Sequence, residues 1–148
     1  MKTLKALIVE DSTDDVALLV RHLSNEGYDV QPEIVQTAAD LKVALGGMAW
    51  DVILSDYSMP HFTGLDALQV LKKSGLDIPF IIISGTIGED IGVEAMVFGA
   101  NDYLMKGNLT RLAPAIEREM ENAAGRRDQK QAENELLASK ALLINFVT

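Results

Sequence analysis

The chain contains no cysteine. That absence removes disulfides, thiolate nucleophiles and cysteine-based metal centres, and it fits a reducing cytoplasm without requiring one. Basic residues are scarce, with 13 Lys and Arg against 22 Asp and Glu and a formal net charge of -9. So acidic a chain lacks the electrostatic footprint that nucleic acid or an anionic membrane requires, and neither is expected as a partner. Long hydrophobic runs are missing as well. The apolar stretch after Met1-Lys2-Thr3-Leu4-Lys5 is broken by Glu10 and Asp11, too soon for a signal peptide, and no run is long enough to span a bilayer. There are only four prolines and no low-complexity tract, while 48% of the residues are hydrophobic, so disorder is not expected. The 148 residues suffice for one domain with an appendage, in a soluble and cytoplasmic protein.

What the sequence does have is a succession of short apolar runs bounded by acidic, Gly or Pro residues. Leu4 to Val9, Val52 to Ser55 and Phe80 to Ser84 are nearly continuous, which suits parallel strands covered on both faces. Weaker strands fit Ile34 to Gln36 and Asp102 to Leu104. Between them lie helical patterns. The clearest places Val16, Leu19, Val20 and Leu23 on one face after Ser12-Thr13-Asp14-Asp15, whose oxygens suit a helix start. Others run from Ala39 to Leu45, Leu65 to Lys73 and Glu89 to Phe98. Strict alternation of strand and helix predicts an α/β fold, a doubly wound five-stranded parallel sheet with helices on both faces. Ligands of such sheets bind at the carboxyl ends of the strands. Glu10-Asp11, Asp56, Ser84 and Lys106 all follow or end predicted strands.

Neighbouring strands would gather Glu10, Asp11 and Asp56 into one pocket, where like charges near 4 Å cost roughly 4 kcal/mol per pair at an effective dielectric of about 20. A hard divalent cation relieves that repulsion. Mg²⁺ fits best, because it takes few carboxylates and leaves positions for water and phosphate oxygens. Lys106 could meet another oxygen of a phosphoryl group on Asp56 and the Ser84 hydroxyl a third, which is the surround that phosphoryl transfer needs.

These residues match a known pattern. Leu7-Ile8-Val9-Glu10-Asp11, Asp51-Val52-Ile53-Leu54-Ser55-Asp56-Tyr57-Ser58-Met59-Pro60, Gly64-Leu65, Ile82-Ile83-Ser84-Gly85 and Gly99-Ala100-Asn101-Asp102-Tyr103-Leu104-Met105-Lys106 occur in the order and spacing of two-component response-regulator receivers. Over roughly residues 4 to 123 the chain resembles that family. The resemblance implies the flavodoxin-like strand order 2-1-3-4-5 and phosphorylation of Asp56 by a sensor histidine kinase or a histidine phosphotransfer protein. It implies Mg²⁺ held by Asp11, Asp56 and the backbone carbonyl of Ser58, with Glu10 reaching it through water. Ser84 and Tyr103 would form a switch that alters the face of the fourth helix, fifth strand and fifth helix. Where the family usually has proline after the lysine, Gly107 stands, so a trans and looser loop is expected there.

Blander readings exist for several residues. Asp14 and Asp15 can simply charge a helix N-terminus, and they are left outside the site. Thr86 could compete with Ser84 for the hydroxyl role. His22 and His61 lack a spaced metal partner, and Trp50 reads as packing. A Mg²⁺-dependent aspartyl-phosphate phosphatase is the alternative function, but its second acid would fall on Ser58. A flavin domain would need a phosphate cradle where Glu10-Asp11 stands.

From about Ala113 the sequence reads as one long helix. Leu112, Ile116, Met120 and Ala123 could close the domain, whereas Asn122 to Asn134 is polar and Ala132, Leu136, Leu143 and Phe146 resume an approximate heptad. The expected division is a receiver over residues 1–124 and a helical connector over 125–148 that can pair with a second copy, within a longer signalling protein.

Overall fold

The computed structural model describes residues 1–85 and 89–147. Strands and helices alternate as β1 (Lys2–Val9), α1 (Thr13–Asn25), β2 (Tyr28–Val35), α2 (Ala38–Gly47), β3 (Val52–Asp56), α3 (Gly64–Ser74), β4 (Phe80–Ser84), α4 (Glu89–Val97), β5 (Asp102–Met105) and α5 (Leu112–Val147). All pairings are parallel and the sheet order is β2-β1-β3-β4-β5. This is the flavodoxin-like arrangement. Every residue of β3 and β4 is buried, which explains why their sequences run apolar without alternation.

Two cores flank the sheet. Leu7, Val9, Ile53, Phe80 and Ile82 point to one side, where Leu41 and Leu45 of α2, Leu68 and Leu71 of α3 and Ala95 of α4 cover them. Ile8, Leu54, Ile81 and Ile83 point to the other, beneath Leu19 and Leu23 of α1 and Leu112 and Ile116 of α5. Helix starts are written locally. Ser12 Oγ accepts the Asp15 N–H, and Thr37 Oγ1 accepts that of Asp40. At α3, Thr63 and Asp66 exchange side-chain and backbone hydrogen bonds as a capping box, and Gly75 ends the helix in the left-handed conformation.

β2 is longer than the predicted Ile34 to Gln36. Its register with β1 runs from Lys2 opposite Tyr28 to Val9 opposite Val35. As an edge strand it needs only one hydrogen-bonded side, so it tolerates Pro32 and keeps Asp29 and Glu33 in water. Those residues hid its start in the sequence.

Tyr28, at the start of β2, is tied to α5: its hydroxyl donates to Glu117 Oε1 at 3.1 Å, and Lys2 Nζ reaches the same oxygen at 3.2 Å. Burial, and then the Glu117 carboxylate, push Tyr28 up from 10.0 to about 12. The folded state therefore favours neutral Tyr28, a contribution fully present below pH 10 and lost as pH rises toward 12. Unfolding free energy should fall by at most about 1.4 kcal/mol per pH unit in that window on account of this residue. Chemical denaturation of Tyr28→Phe should show a flatter alkaline limb than the parent.

α5 has 36 residues and is a single helix about 54 Å long at 1.5 Å per residue. Its first turns lie on the sheet. Arg126 then forks onto Asp77 in the α3–β4 loop, with Nε–Oδ2 at 2.7 Å and the second nitrogen to Oδ1 at 3.0 Å. From Gly125 to Asn145 every residue is exposed. No helix among the described residues is long and apolar enough to cross a membrane.

Candidate functional site

The register of the sheet sets the site. Val9 pairs with Ser55, so Glu10 and Asp56 leave adjacent strands at the same carboxyl edge. Carboxylate oxygens of Glu10, Asp11 and Asp56 lie within 4.8 Å of one another. Glu10 and Asp56 are buried, with 2% and 8% of their surface exposed, while Asp11 faces solvent.

Lys106 enters this cluster from the far side of the sheet. Its N–H donates to the Ser84 carbonyl at 2.8 Å, continuing the β4–β5 pairing. Asn108 N–H donates to the Met105 carbonyl at 3.0 Å and closes a tight turn around Lys106-Gly107. No cis peptide bond occurs among the described residues, and one backbone hydrogen bond closes the turn. The ammonium lies 3.3 Å from Asp56 Oδ2, 2.9 Å from Glu10 Oε2 and 2.6 Å from Asp15 Oδ2.

Burial alone would lower the Lys106 pKa, but hydrogen bonds to Asp15 and Glu10 and the charges of Asp56 and Glu10 outweigh it and raise it. Lys106 stays charged across the physiological range. Glu10 is raised mainly by burial, with the Asp56 charge adding to it; the bonds from Lys106 and the Ser12 N–H work in the opposite direction. Its Oε1 accepts both the Asp11 and Ser12 N–H groups at 3.1 Å, and Oε2 faces Lys106. Both oxygens are thus engaged by protein donors.

Three carboxylates, those of Glu10, Asp15 and Asp56, contact the one ammonium, and Asp11 adds a fourth negative charge beside Glu10 and Asp56. A divalent cation fits this residual negative charge, and the all-oxygen donor set suits Mg²⁺.

The loop after β3 is shaped around Asp56. Gly64, the first residue of α3, donates its N–H to the Tyr57 carbonyl at 2.8 Å, and a Cβ there would stand 2.8 Å from the Asp56 carbonyl oxygen. Gly64→Ala must push the two backbones apart. We expect a loss of about 1–3 kcal/mol in urea unfolding, with displaced amide resonances at Asp56 and Tyr57.

A family model described as the response regulator receiver domain matches residues 6–117. The chain belongs to the response regulator receiver family. It is 37% identical over 99 residues to the luminescence regulatory protein LuxO of Vibrio campbellii, a match that covers 67% of this chain and 21% of LuxO. With the response regulator SaeR of Staphylococcus aureus it shares 32% identity over 100 residues, 68% of this chain and 42% of SaeR. The chain thus aligns with only a minor part of either relative. Among solved structures, the signal receiver domain of a putative LuxO repressor protein from Vibrio parahaemolyticus superimposes with a TM-score of 0.73 at 25% identity, covering 86% of this chain and 96% of that one. FixJ-N gives 0.69 at 29% identity, covering 82% and 96%.

Within this receiver the structure brings Glu10, Asp11, Asp56 and Lys106 together. Ser84, fully buried, ends β4 one residue beyond Ile83, the partner of Asp56. Tyr103 pairs with Ile82 on β5 and shares the sheet face of that residue. Its ring packs so close to Gly92 of α4 that a Cβ there would lie 3.3 Å from Cδ1. Ser58 sits exposed in the loop after β3, two residues past Asp56. Thr86, the rival hydroxyl, lies outside the described residues. The sequence reading missed Asp15, which had been assigned to the helix terminus. Side chains in a helix's first turn tilt back toward its N-terminus, here toward the strand ends, and that was the available signal.

Proposed function

We propose that this receiver accepts a phosphoryl group on Asp56 from a phosphohistidine of a sensor kinase or a histidine phosphotransfer protein. The carrying observation is the Lys106 ammonium lodged between Asp56 and Glu10, with Asp11 closing the acidic group. In transfer, the bond between the imidazole nitrogen and phosphorus breaks as an Asp56 carboxylate oxygen bonds to phosphorus, and the imidazole takes up a proton. Later attack by water on phosphorus releases inorganic phosphate and restores the carboxylate. Lys106 and the Ser84 hydroxyl each stabilise oxygens of the transferring group. Mg²⁺ bound by Asp11, Asp56 and the Ser58 carbonyl would supply the remaining charge neutralisation. Glu10, with both oxygens already bonded to protein donors, reaches it through water. The receiver works on itself and is not a phosphatase of other substrates.

Output leaves through the α4–β5–α5 face. Movement of Ser84 toward the phosphoryl group lets the Tyr103 ring, which now packs closely against Gly92 of α4, change its position. The test is Mg²⁺ with beryllofluoride, a phosphoryl mimic, followed by ¹⁵N NMR. Resonances of Ser84, Tyr103 and Lys106 should shift in saturable fashion, and Asp56→Asn should not respond. A spectrum unchanged by the mimic, or one that changes equally in Asp56→Asn, overturns the reading. Trp50 is a poor reporter, because its Nε1–H donates to the Ala44 carbonyl at the opposite end of β3.

Residues 125–148 act as a connector that pairs with a second copy of the chain. Leu136 and Leu143, and likewise Leu137 and Ile144, recur seven residues apart on the exposed part of α5. Such a helix is marginal alone in water, and a heptad repeat is a self-pairing pattern. Sedimentation should show a concentration-dependent dimer that Leu136→Glu with Leu143→Glu converts to monomer with reduced helicity. A parent chain monomeric at high concentration removes this part of the proposal.

A further inference from the structure

Lys106 is followed by Gly107, so no ring behind it restrains the chain, yet its ammonium is closely held. The backbone bond to Ser84 fixes where the side chain starts. Its stem then passes over Gly85, where a Cβ would lie 3.6 Å from Lys106 Cδ. At the tip, the shortest of three contacts is to Asp15 Oδ2, at 2.6 Å. Asp15 belongs neither to the three-carboxylate group nor to any strand end. It sits in the first turn of α1, where its own N–H bonds to Ser12 Oγ. Among the described residues its carboxylate accepts a hydrogen bond from Lys106 and from no other group.

We infer that Asp15 is a positioning residue that holds the Lys106 ammonium on the α1 side of the site and competes with an arriving phosphoryl group for it. The inference rests on the reading of Asp56 as phosphoacceptor. A lysine has three N–H donors, and here three carboxylates face them. Oxygens of a phosphoryl group on Asp56 can gain a donor only as one of those contacts loosens. Without Lys106, Glu10 keeps two backbone N–H bonds on Oε1 but none on its buried Oε2, whereas the half-buried Asp15 carboxylate is within reach of water. Asp15 nonetheless makes the shortest of the three contacts, at 2.6 Å, and so holds the ammonium on the α1 side. Its negative charge also opposes the phosphoryl dianion, so both effects favour the unphosphorylated site.

Beryllofluoride titrations at saturating Mg²⁺ test this by NMR, with Mg²⁺ affinity measured separately. Asp15→Asn keeps the backbone N–H that Ser12 Oγ accepts at the α1 cap and keeps the side-chain shape, while it removes the charge and turns one acceptor oxygen into a donor. It should bind beryllofluoride about tenfold tighter, the scale of one charge-assisted hydrogen bond, while Mg²⁺ affinity does not rise. Asp15→Glu should return the affinity toward the parent value. In a Lys106→Ala background the gain from Asp15→Asn should shrink below about twofold, since the effect acts through the ammonium. Unchanged or weaker binding by Asp15→Asn overturns the inference, as does an equal gain in the Lys106→Ala background. If the parent responds to beryllofluoride and Asp15→Asn matches it, only this inference fails. No response in parent or variant overturns the phosphoacceptor reading and this one with it.

Discussion

Asp56→Asn should be more stable than the parent receiver in the absence of divalent ions, although on the proposed role of Asp56 it should no longer take a phosphoryl group. Two like charges, those of Glu10 and Asp11, stand within 4.8 Å of Asp56, and each repels it by roughly 3.5 kcal/mol at an effective dielectric of about 20. Against this stands one attraction, to Lys106 at 3.3 Å, of roughly 5 kcal/mol on the same scale. The difference leaves a net gain of about 2 kcal/mol on neutralising Asp56. Urea unfolding in EDTA should show that gain as a higher midpoint with an unchanged slope. Excess Mg²⁺ should reverse the order, because an ion bound by the folded parent stabilises it by mass action while the variant has lost a ligand. Equal stability of the two proteins in EDTA would mean that the three acids do not repel one another as their spacing requires.

A site that lowers stability in this way is hard to read from local pattern, yet much of it was legible. The strands β3 and β4 announce themselves because burial on both faces removes polar positions, and the rule of strand ends then marks Asp56 and Ser84. Glu10 and Asp11 follow from the same rule at β1. Asp15 was masked, because an acid in the first turn of a helix is already explained by the helix dipole, and the backward tilt of its side chain toward the strand ends is a weaker signal. Only the three-dimensional reach of Lys106 across the sheet reveals its second use. β2 was shortened for a related reason: as an edge strand it leaves Gln31, Pro32 and Glu33 exposed, so its sequence lacks the apolar continuity of its neighbours. The outer half of α5 reads as a helix from its heptads alone, with no domain surface behind them.

Lys106→Met should have the opposite effect on stability and an equally large one on chemistry. The ammonium is the single cation among Glu10, Asp11, Asp15 and Asp56 in the described structure, and two of those acids are buried. Removing it leaves buried charges without a partner, a change that costs about 3–5 kcal/mol when water cannot fully replace the lost ion pair. Solvent reaches Lys106 and Asp15 in part, so the lower end of that range is expected in EDTA. Mg²⁺ should restore part of the loss in Lys106→Met by taking over the neutralisation. Phosphoryl transfer to Asp56 should slow by about 10²–10³-fold even at saturating Mg²⁺, the usual cost of losing one donor aimed at developing charge. Combining Lys106→Met with Asp56→Asn should recover much of the stability but none of the transfer, since the charge left unpaired by the first change is removed by the second. If Lys106→Met proved neutral in EDTA, the ammonium could not occupy the acidic cluster in solution. The contacts that tie Lys106 to Asp56, Glu10 and Asp15 would then have no energetic consequence.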